Sequence, residues 1–220
     1  TTPAKKKAAA AGKKLEAPKG GPSFLHIGCG MARKDATKGF NTPEWHEVRL
    51  DIEKSVSPDI VSNVADMSAV EPDSFDALFA QHSIQHLHVH EVQRAFAEFL
   101  RVLKPEGFAV ISCPDLQSVC AVVAENKLTV PIYNSPAGPI APLDILYGHR
   151  ASIANGHVHM GHNCGFTKDA LGATLAAAGF KAIASRQRGH PHYDLWVIAT
   201  KSKVEKPQLE KLVAEHFPGA

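Results

Sequence analysis

Residues 75–112 constrain the fold of this chain more than any other stretch. Phe75-Asp76-Ala77-Leu78-Phe79-Ala80 reads as a strand ending at Gln81-His82. From about Val89 to Leu103, Val92, Ala95, Phe96, Phe99, Leu100 and Leu103 recur every three or four residues, which is one face of an amphipathic helix. Lys104-Pro105-Glu106-Gly107 stops that helix, and Phe108-Ala109-Val110-Ile111-Ser112 is a second apolar strand. Strand, helix, strand in that order is a βαβ unit, which requires a parallel sheet with right-handed crossovers.

Upstream, Phe24-Leu25-His26-Ile27-Gly28-Cys29-Gly30 reads as a buried strand turning on glycines, where the backbone can come close to a ligand. A strand over 46–50 ends at Asp51, and one over 59–64 is followed by Ala65-Asp66-Met67. Residues 31–43 are polar and hold Gly39 and Pro43, so any helix there is short. Downstream, a helix is expected from Asp115 to about Glu125. Residues 127–165 lose periodicity and gather prolines and glycines, as a functional loop insert does. Thr167 is placed as an N-cap with Asp169 in the first turn, and Gly179 as the residue closing that helix. Strands over about 180–186 and 194–200 form a hairpin around Gly189-His190-Pro191-His192, and the last twenty residues read as a peripheral helix and tail.

Composition is globular, with 44% hydrophobic and 21% charged residues in 220. The formal charge of +2 conceals an uneven distribution. Six lysines against Glu16 put +5 on residues 1–20, leaving a mildly acidic body of −3 and disfavouring nucleic acid as partner. The expected division is a disordered Lys/Ala tail over 1–20, one catalytic domain over 21–203 with its covering insert at 127–165, and a peripheral 204–220. No apolar run is long enough to span a membrane, and four scattered cysteines without a C-x-x-C pair suit reduced thiols in the cytoplasm. Nothing in the sequence fixes an oligomeric state.

Asp51 follows Gly30 by 21 residues, the depth at which nucleotide-binding sheets place an acid against a ribose diol. The dinucleotide fingerprint fails, because its third glycine position is Arg33. A ribose acid without a pyrophosphate cradle points to an adenosine ligand lacking phosphates, with Asp66 reaching the adenine amino group and Met67 its ring. A nicotinamide oxidoreductase is the reading that Arg33 opposes.

These segments, together with Leu50-Asp51-Ile52, Ser83-Ile84-Gln85-His86-Leu87 and Leu100-Arg101-Val102-Leu103-Lys104-Pro105-Glu106-Gly107, resemble class I S-adenosylmethionine-dependent methyltransferases of the type 11 group. The resemblance implies a Rossmann-like, seven-stranded, mostly parallel α/β sheet with an antiparallel last strand and helices on both faces. It implies S-adenosyl-L-methionine as cofactor, with Gly28 and Gly30 at its methionine part, Asp51 at the ribose, Asp66 and Met67 at the adenine, and the Gln81-His82 backbone beside the sulfonium. His26, Cys29 and Ile52 complete the candidate cofactor set. His26 departs from the family pattern, which has an acid at that place, and Ala32 stands where a further glycine is common.

Thirteen histidines are many for this length. Methyl transfer from a sulfonium is an in-line displacement, and an acceptor alcohol or ammonium must lose a proton, which a near-neutral imidazole can take. His82, His86 and His149 are the candidate catalytic residues. Tyr147, Arg150, His157, His159 and His162 are the candidate contacts to a small-molecule acceptor, Arg150 as a clamp for a carboxylate or phosphate. His192 and Tyr193 sit at the hairpin mouth, where a turn role is the simpler reading. A rival reading is a non-catalytic or metal-binding protein using His157, His159, His162 and Cys164, although no standard zinc spacing is present.

Overall fold

The computed structural model describes residues 14–219. Among the described residues there are nine strands: β1 (Ser23–Ile27), β2 (His46–Asp51), β3 (Ile60–Val61), β4 (Phe75–Gln81), β5 (Leu103–Pro114), β6 (Tyr133–Ser135), β7 (Gly138–Ile140), β8 (Ala182–Arg188) and β9 (Asp194–Thr200). The helices are α1 (Val92–Val102), α2 (Leu116–Ala124), α3 (Pro142–Tyr147), α4 (Arg150–Ala154), α5 (Lys168–Ala178) and α6 (Lys206–His216). Seven strands form one sheet in the order β3-β2-β1-β4-β5-β9-β8, and β6 and β7 pair separately as a hairpin. β1 to β5 pair in parallel, while β9 runs antiparallel to both of its neighbours. The expected Rossmann-like sheet with one antiparallel last strand is the one observed.

β1 is buried along its whole length, as a central parallel strand must be. One sheet face packs Leu25, Ile27, Leu78 and Ile111 against Phe96 and Phe99 of α1 and Leu171 and Leu175 of α5. The other face is aromatic. Phe24 stacks on Phe40 with ring centroids 4.4 Å apart, and Phe79, Trp196 and Phe217 extend the cluster. No α-helix follows β1; only a 3-10 turn at Lys34–Ala36 lies in that crossover. Its place on the sheet is taken by Phe40 and by α6, whose Leu209, Leu212 and Val213 pack there. Lys38 Nζ donates to the carbonyl of Phe217 and ties the α6 terminus to the crossover. The C-terminal helix is therefore part of the core layer and not peripheral.

Several boundaries differ from the sequence reading for identifiable reasons. β3 keeps two residues, because Asn63 Oδ1 accepts from the Ala65 amide at 2.8 Å and folds the chain into a turn. β5 begins at Leu103, which pairs with Phe75 ahead of an irregularity between Phe75 and Ala77 that accommodates the Pro-Glu-Gly turn. The insert is not structureless, since β6, β7, α3 and α4 lie in it. The tail expected over 1–20 gives way at Leu15, whose amide donates to Ala69 O at 2.8 Å and which bridges to Val70. The rest of that expectation, residues 1–13, lies outside the described residues. Among the described residues no helix is long and apolar enough to cross a membrane.

Candidate active site

The carboxyl ends of β1, β2, β3 and β4 open onto one cavity of about 870 Å³, a volume suited to a cofactor-sized ligand. β1 contributes Gly28 and Gly30 through its glycine turn, β2 ends in Asp51 and is followed by Ile52 and Glu53, and the turn after β3 contributes Ser62, Asn63 and Val64. The turn after β4 contributes His82, Ser83 and His86, and the insert covers the cavity with His157, Val158, His159 and Met160. Gly28 has φ +61°, and a Cβ there would stand 2.5 Å from Ser83 Cβ. A side chain at 28 would thus fill the space where the β1 and β4 turns meet.

Asp51 organises these turns. Its Oδ2 accepts from the Gly30 amide at 2.8 Å and its Oδ1 from the Glu53 amide at 2.9 Å. Each oxygen keeps a lone pair for a hydroxyl in the cavity. Arg49, 2% exposed in the middle of β2, does the rest. Its guanidinium donates to Gly30 O, to Ala32 O at 3.3 Å, to Val56 O at 3.2 Å and to Ser57 O at 2.8 Å. With no helix after β1 to use those carbonyls, one buried cation gathers both loops.

A smaller cavity of about 170 Å³ adjoins the first, and His82, His86 and Met160 line both. The smaller one is walled by Gln85, His149 and His162 and by Tyr133, His192 and Tyr193. His82 has φ +48°, a left-handed backbone that non-glycine residues adopt only when their surroundings impose it. Its side chain is exposed to the two cavities it lines; desolvation by the neighbouring protein pushes its pKa down, with Asp194 pulling the other way. Burial also lowers His86, against the opposing hydrogen bond to Gly161 O, and pushes His162 down to about 4. All three are shifted toward the neutral imidazole, the form that can take a proton.

The His162 shift has a consequence for stability. Between about 6.5 and about 4 the unfolded chain protonates this ring while the folded one does not, so stability is full above that window and declines as pH falls through it. His162→Gln should lose less melting temperature than the wild type between pH 7 and pH 4.5. Equal losses in thermal melts would contradict this assignment.

The sequence-derived residues fall into distinct groups. Gly28, Gly30, Asp51, Ile52, His82, His86, His157 and His159 share the large cavity. Cys29 and Gln81 lie beside it and line neither cavity. Burial raises the Cys29 thiol to about 11, so it stays protonated. His26 turns away toward the aromatic face, its Nδ1 2.7 Å from Glu47 Oε1 and its ring against Phe79. Asp66 is exposed and accepts from the Ser68 amide, outside the cavity lining. Met67 is fully buried in the core under α1, its amide held by Glu98 and its carbonyl by Arg101. The turn after β3 instead faces the cavity with Ser62, Asn63 and Val64.

Tyr147 points to solvent and lines neither cavity. Arg150 is held by Asp144, with Nε 2.7 Å from Oδ1 and Nη2 3.1 Å from Oδ2, and lines neither cavity. That guanidinium beside Asp144 holds the carboxyl down at about 2. The acceptor clamp expected of Arg150 is thus spent within the insert. His162 lines the small cavity, whereas His157 and His159 face the large one, where His159 Nε2 lies 3.9 Å from Glu53 Oε2. Cys164 Sγ donates to Ile84 O. Among the described residues no three His, Cys, Asp or Glu side chains are placed to hold a metal ion. His192 and Tyr193, read from sequence as turn residues, line the small cavity. Glu53, Asn63, Gln85 and Arg49 were missed; a cation between Val48 and Leu50, the two apolar residues of β2, was the available signal for Arg49.

Residues 25–111 match the family model described as a methyltransferase domain. Over these residues the chain carries a methyltransferase domain. No curated protein matches the chain in sequence. Similar solved structures include a Pyrococcus horikoshii protein, at 16% identity and TM-score 0.55 over 83% of this chain and 82% of that one. A 1,6-didemethyltoxoflavin-N1-methyltransferase from Burkholderia thailandensis, with bound 1,6-didemethyltoxoflavin and S-adenosylhomocysteine, is similar at 17% identity and TM-score 0.51, over 83% and 72%. A methyltransferase from Methanosarcina mazei is similar at 17% identity and TM-score 0.53, over 82% and 92%.

The residues of the methyltransferase domain fit the cofactor. S-adenosylmethionine has no phosphate and carries a net positive charge. Asp51, Glu53 and Glu91 line the large cavity, and among the described residues neither cavity is lined by a lysine or arginine. A pyrophosphate would meet three carboxylates there with no lysine or arginine to neutralise it.

Proposed function

We propose that this methyltransferase holds S-adenosylmethionine in the large cavity and methylates an O, N or S atom of a small molecule bound in the smaller one. The observation carrying this reading is that the two cavities meet at His82 and His86, at the end of β4. Asp51, with Glu53 beside it, receives the ribose hydroxyls, and the glycine turn admits the methionine part against bare backbone. The turn bearing Ser62, Asn63 and Val64 borders the adenine end.

When bound, the cofactor supplies an electrophilic methyl group on a cationic sulfur. His82 accepts the proton that the nucleophile loses as its bond to the methyl carbon forms; the proton then leaves to solvent. Neither ring nitrogen of His82 has a hydrogen-bond partner among the described residues, which leaves both available for this role. His86 and His149 line the acceptor side, His149 with Nδ1 2.8 Å from Ser152 Oγ. His157 and His159 border the cofactor. The free cysteines suit a reducing, cytoplasmic setting, and the acidic body suits a small acceptor over nucleic acid.

His82→Ala should lower turnover by about 100-fold or more, the usual worth of a positioned general base. Affinity for S-adenosylhomocysteine should stay within about threefold, because the ring contributes little to a cavity bounded by four strand ends. Once an acceptor is found, unchanged turnover in steady-state assays would remove His82 from the mechanism.

A further inference from the structure

The smaller cavity is defined by which hydrogen-bonding ends the protein has already used. Gln85 is 3% exposed and lines it. Its Nε2 lies 2.8 Å from His82 O. A carbonyl only accepts, so the nitrogen end of the amide must face it, and Oε1 is the end left over. Among the described residues that Oε1 has no partner and almost no accessible surface, a costly state for an acceptor, so a donor reaches it only by displacing the side chains packed on it.

The same reasoning fixes two tautomers. His162 Nδ1 lies 2.7 Å from Ile145 O, and His86 Nδ1 lies 3.0 Å from Gly161 O. Both Nδ1 atoms must carry the hydrogen, which leaves each Nε2 as an acceptor. Gln85 Nε2 stands 3.5 Å from His86 Nε2 and takes up that one, so His162 Nε2 remains open. The hydroxyls of Tyr133 and Tyr193 can donate or accept and discriminate nothing. Among the described residues no lysine or arginine lines the cavity, and Asp144, which does, is engaged by Arg150. An anion therefore meets hydroxyl and imidazole donors but no lysine or arginine, and an ammonium meets no free carboxylate.

We infer that the smaller cavity selects an uncharged acceptor of about one ring that presents an O–H or N–H donor, read by Gln85 Oε1 and His162 Nε2. The size follows from the volume of about 170 Å³, since a cavity of about 150 Å³ admits benzene. This inference rests on the proposed function for the identity of the ligand as methyl acceptor, but the selectivity belongs to the cavity itself.

The test uses the full chain saturated with S-adenosylhomocysteine and three probes of one shape class: phenol, toluene and benzoate, titrated by ligand-observed NMR. Phenol should bind at least about tenfold tighter than toluene or benzoate, as buried polar groups left unpaired by the wrong ligand require. Gln85→Met and His162→Phe should each bring the phenol-to-toluene ratio below about threefold while S-adenosylhomocysteine affinity holds. Toluene or benzoate binding as well as phenol, binding of none of the three, or an unchanged ratio in both variants would overturn the inference. Failure of S-adenosylhomocysteine to bind would sink the methyl-donor reading instead, and the same three probes on the free protein would still decide the cavity's selectivity.

Discussion

Replacing Gly28 with alanine is expected to weaken S-adenosylhomocysteine binding by about 100-fold, whereas Gly30→Ala should cost less than about tenfold. Both glycines have positive φ, +61° and +51°, so both variants meet the left-handed penalty of roughly 1–2 kcal/mol. They differ in what the new methyl group touches. At 28 it would lie 2.5 Å from Ser83 Cβ, while at 30 nothing lies within 4 Å. Ser83 cannot swing away, because the clash is with its Cβ, and so the β1 and β4 turns must separate. Forced overpacking of this kind adds about 1–3 kcal/mol. Calorimetric titration of both variants reads the contrast directly. Equal affinities would mean that the junction of these turns does not shape the cofactor cavity.

The second large effect is expected at Arg49. Arg49→Met leaves the carbonyls of Gly30, Ala32, Val56 and Ser57 without their shared donor. Buried acceptors stripped of partners cost roughly 1–3 kcal/mol each when they stay dry, and partial access of water to the loops brings the sum to about 3–5 kcal/mol. For a chain of this size that is a fall of about 10 °C or more in melting temperature. Affinity for S-adenosylhomocysteine should drop as well, because the loops that carry Gly30 and Asp51 lose their common anchor. Arg49→Lys should not restore either, since an ammonium cannot span four carbonyls as a planar guanidinium does. A lysine variant indistinguishable from wild type in thermal melts and in titration would refute the anchoring role.

Those two positions also explain what could be read ahead of the structure. β1, β4, α1 and β9 were legible because burial writes itself into periodicity: β1 is apolar throughout, and α1 puts Val92, Ala95, Phe96 and Phe99 on one face. The place of Gly28 and Asp51 at the large cavity was legible because turn geometry and strand ends restrict residue type. Asp66 and Met67 were not, because β3 is two residues long and the Asn63 turn rotates the following chain, sending Met67 into the core and Asp66 to solvent. Arg150 looked like a free clamp, yet its partner Asp144 lies one helical segment earlier in an insert without periodicity. Gln85 could not be singled out at all. Its importance depends on which amide end faces His82 O, a three-dimensional fact with no trace in spacing.

Mapping amide shifts on titration with S-adenosylhomocysteine tests the central claim most directly, namely that four strand ends form one cradle for the cofactor. Saturable changes are expected at Gly28, Gly30, Asp51, Asn63 and Ser83 together, with Asp66 and Met67 moving far less. No saturable change at millimolar ligand, or changes confined to another face of the sheet, would contradict it.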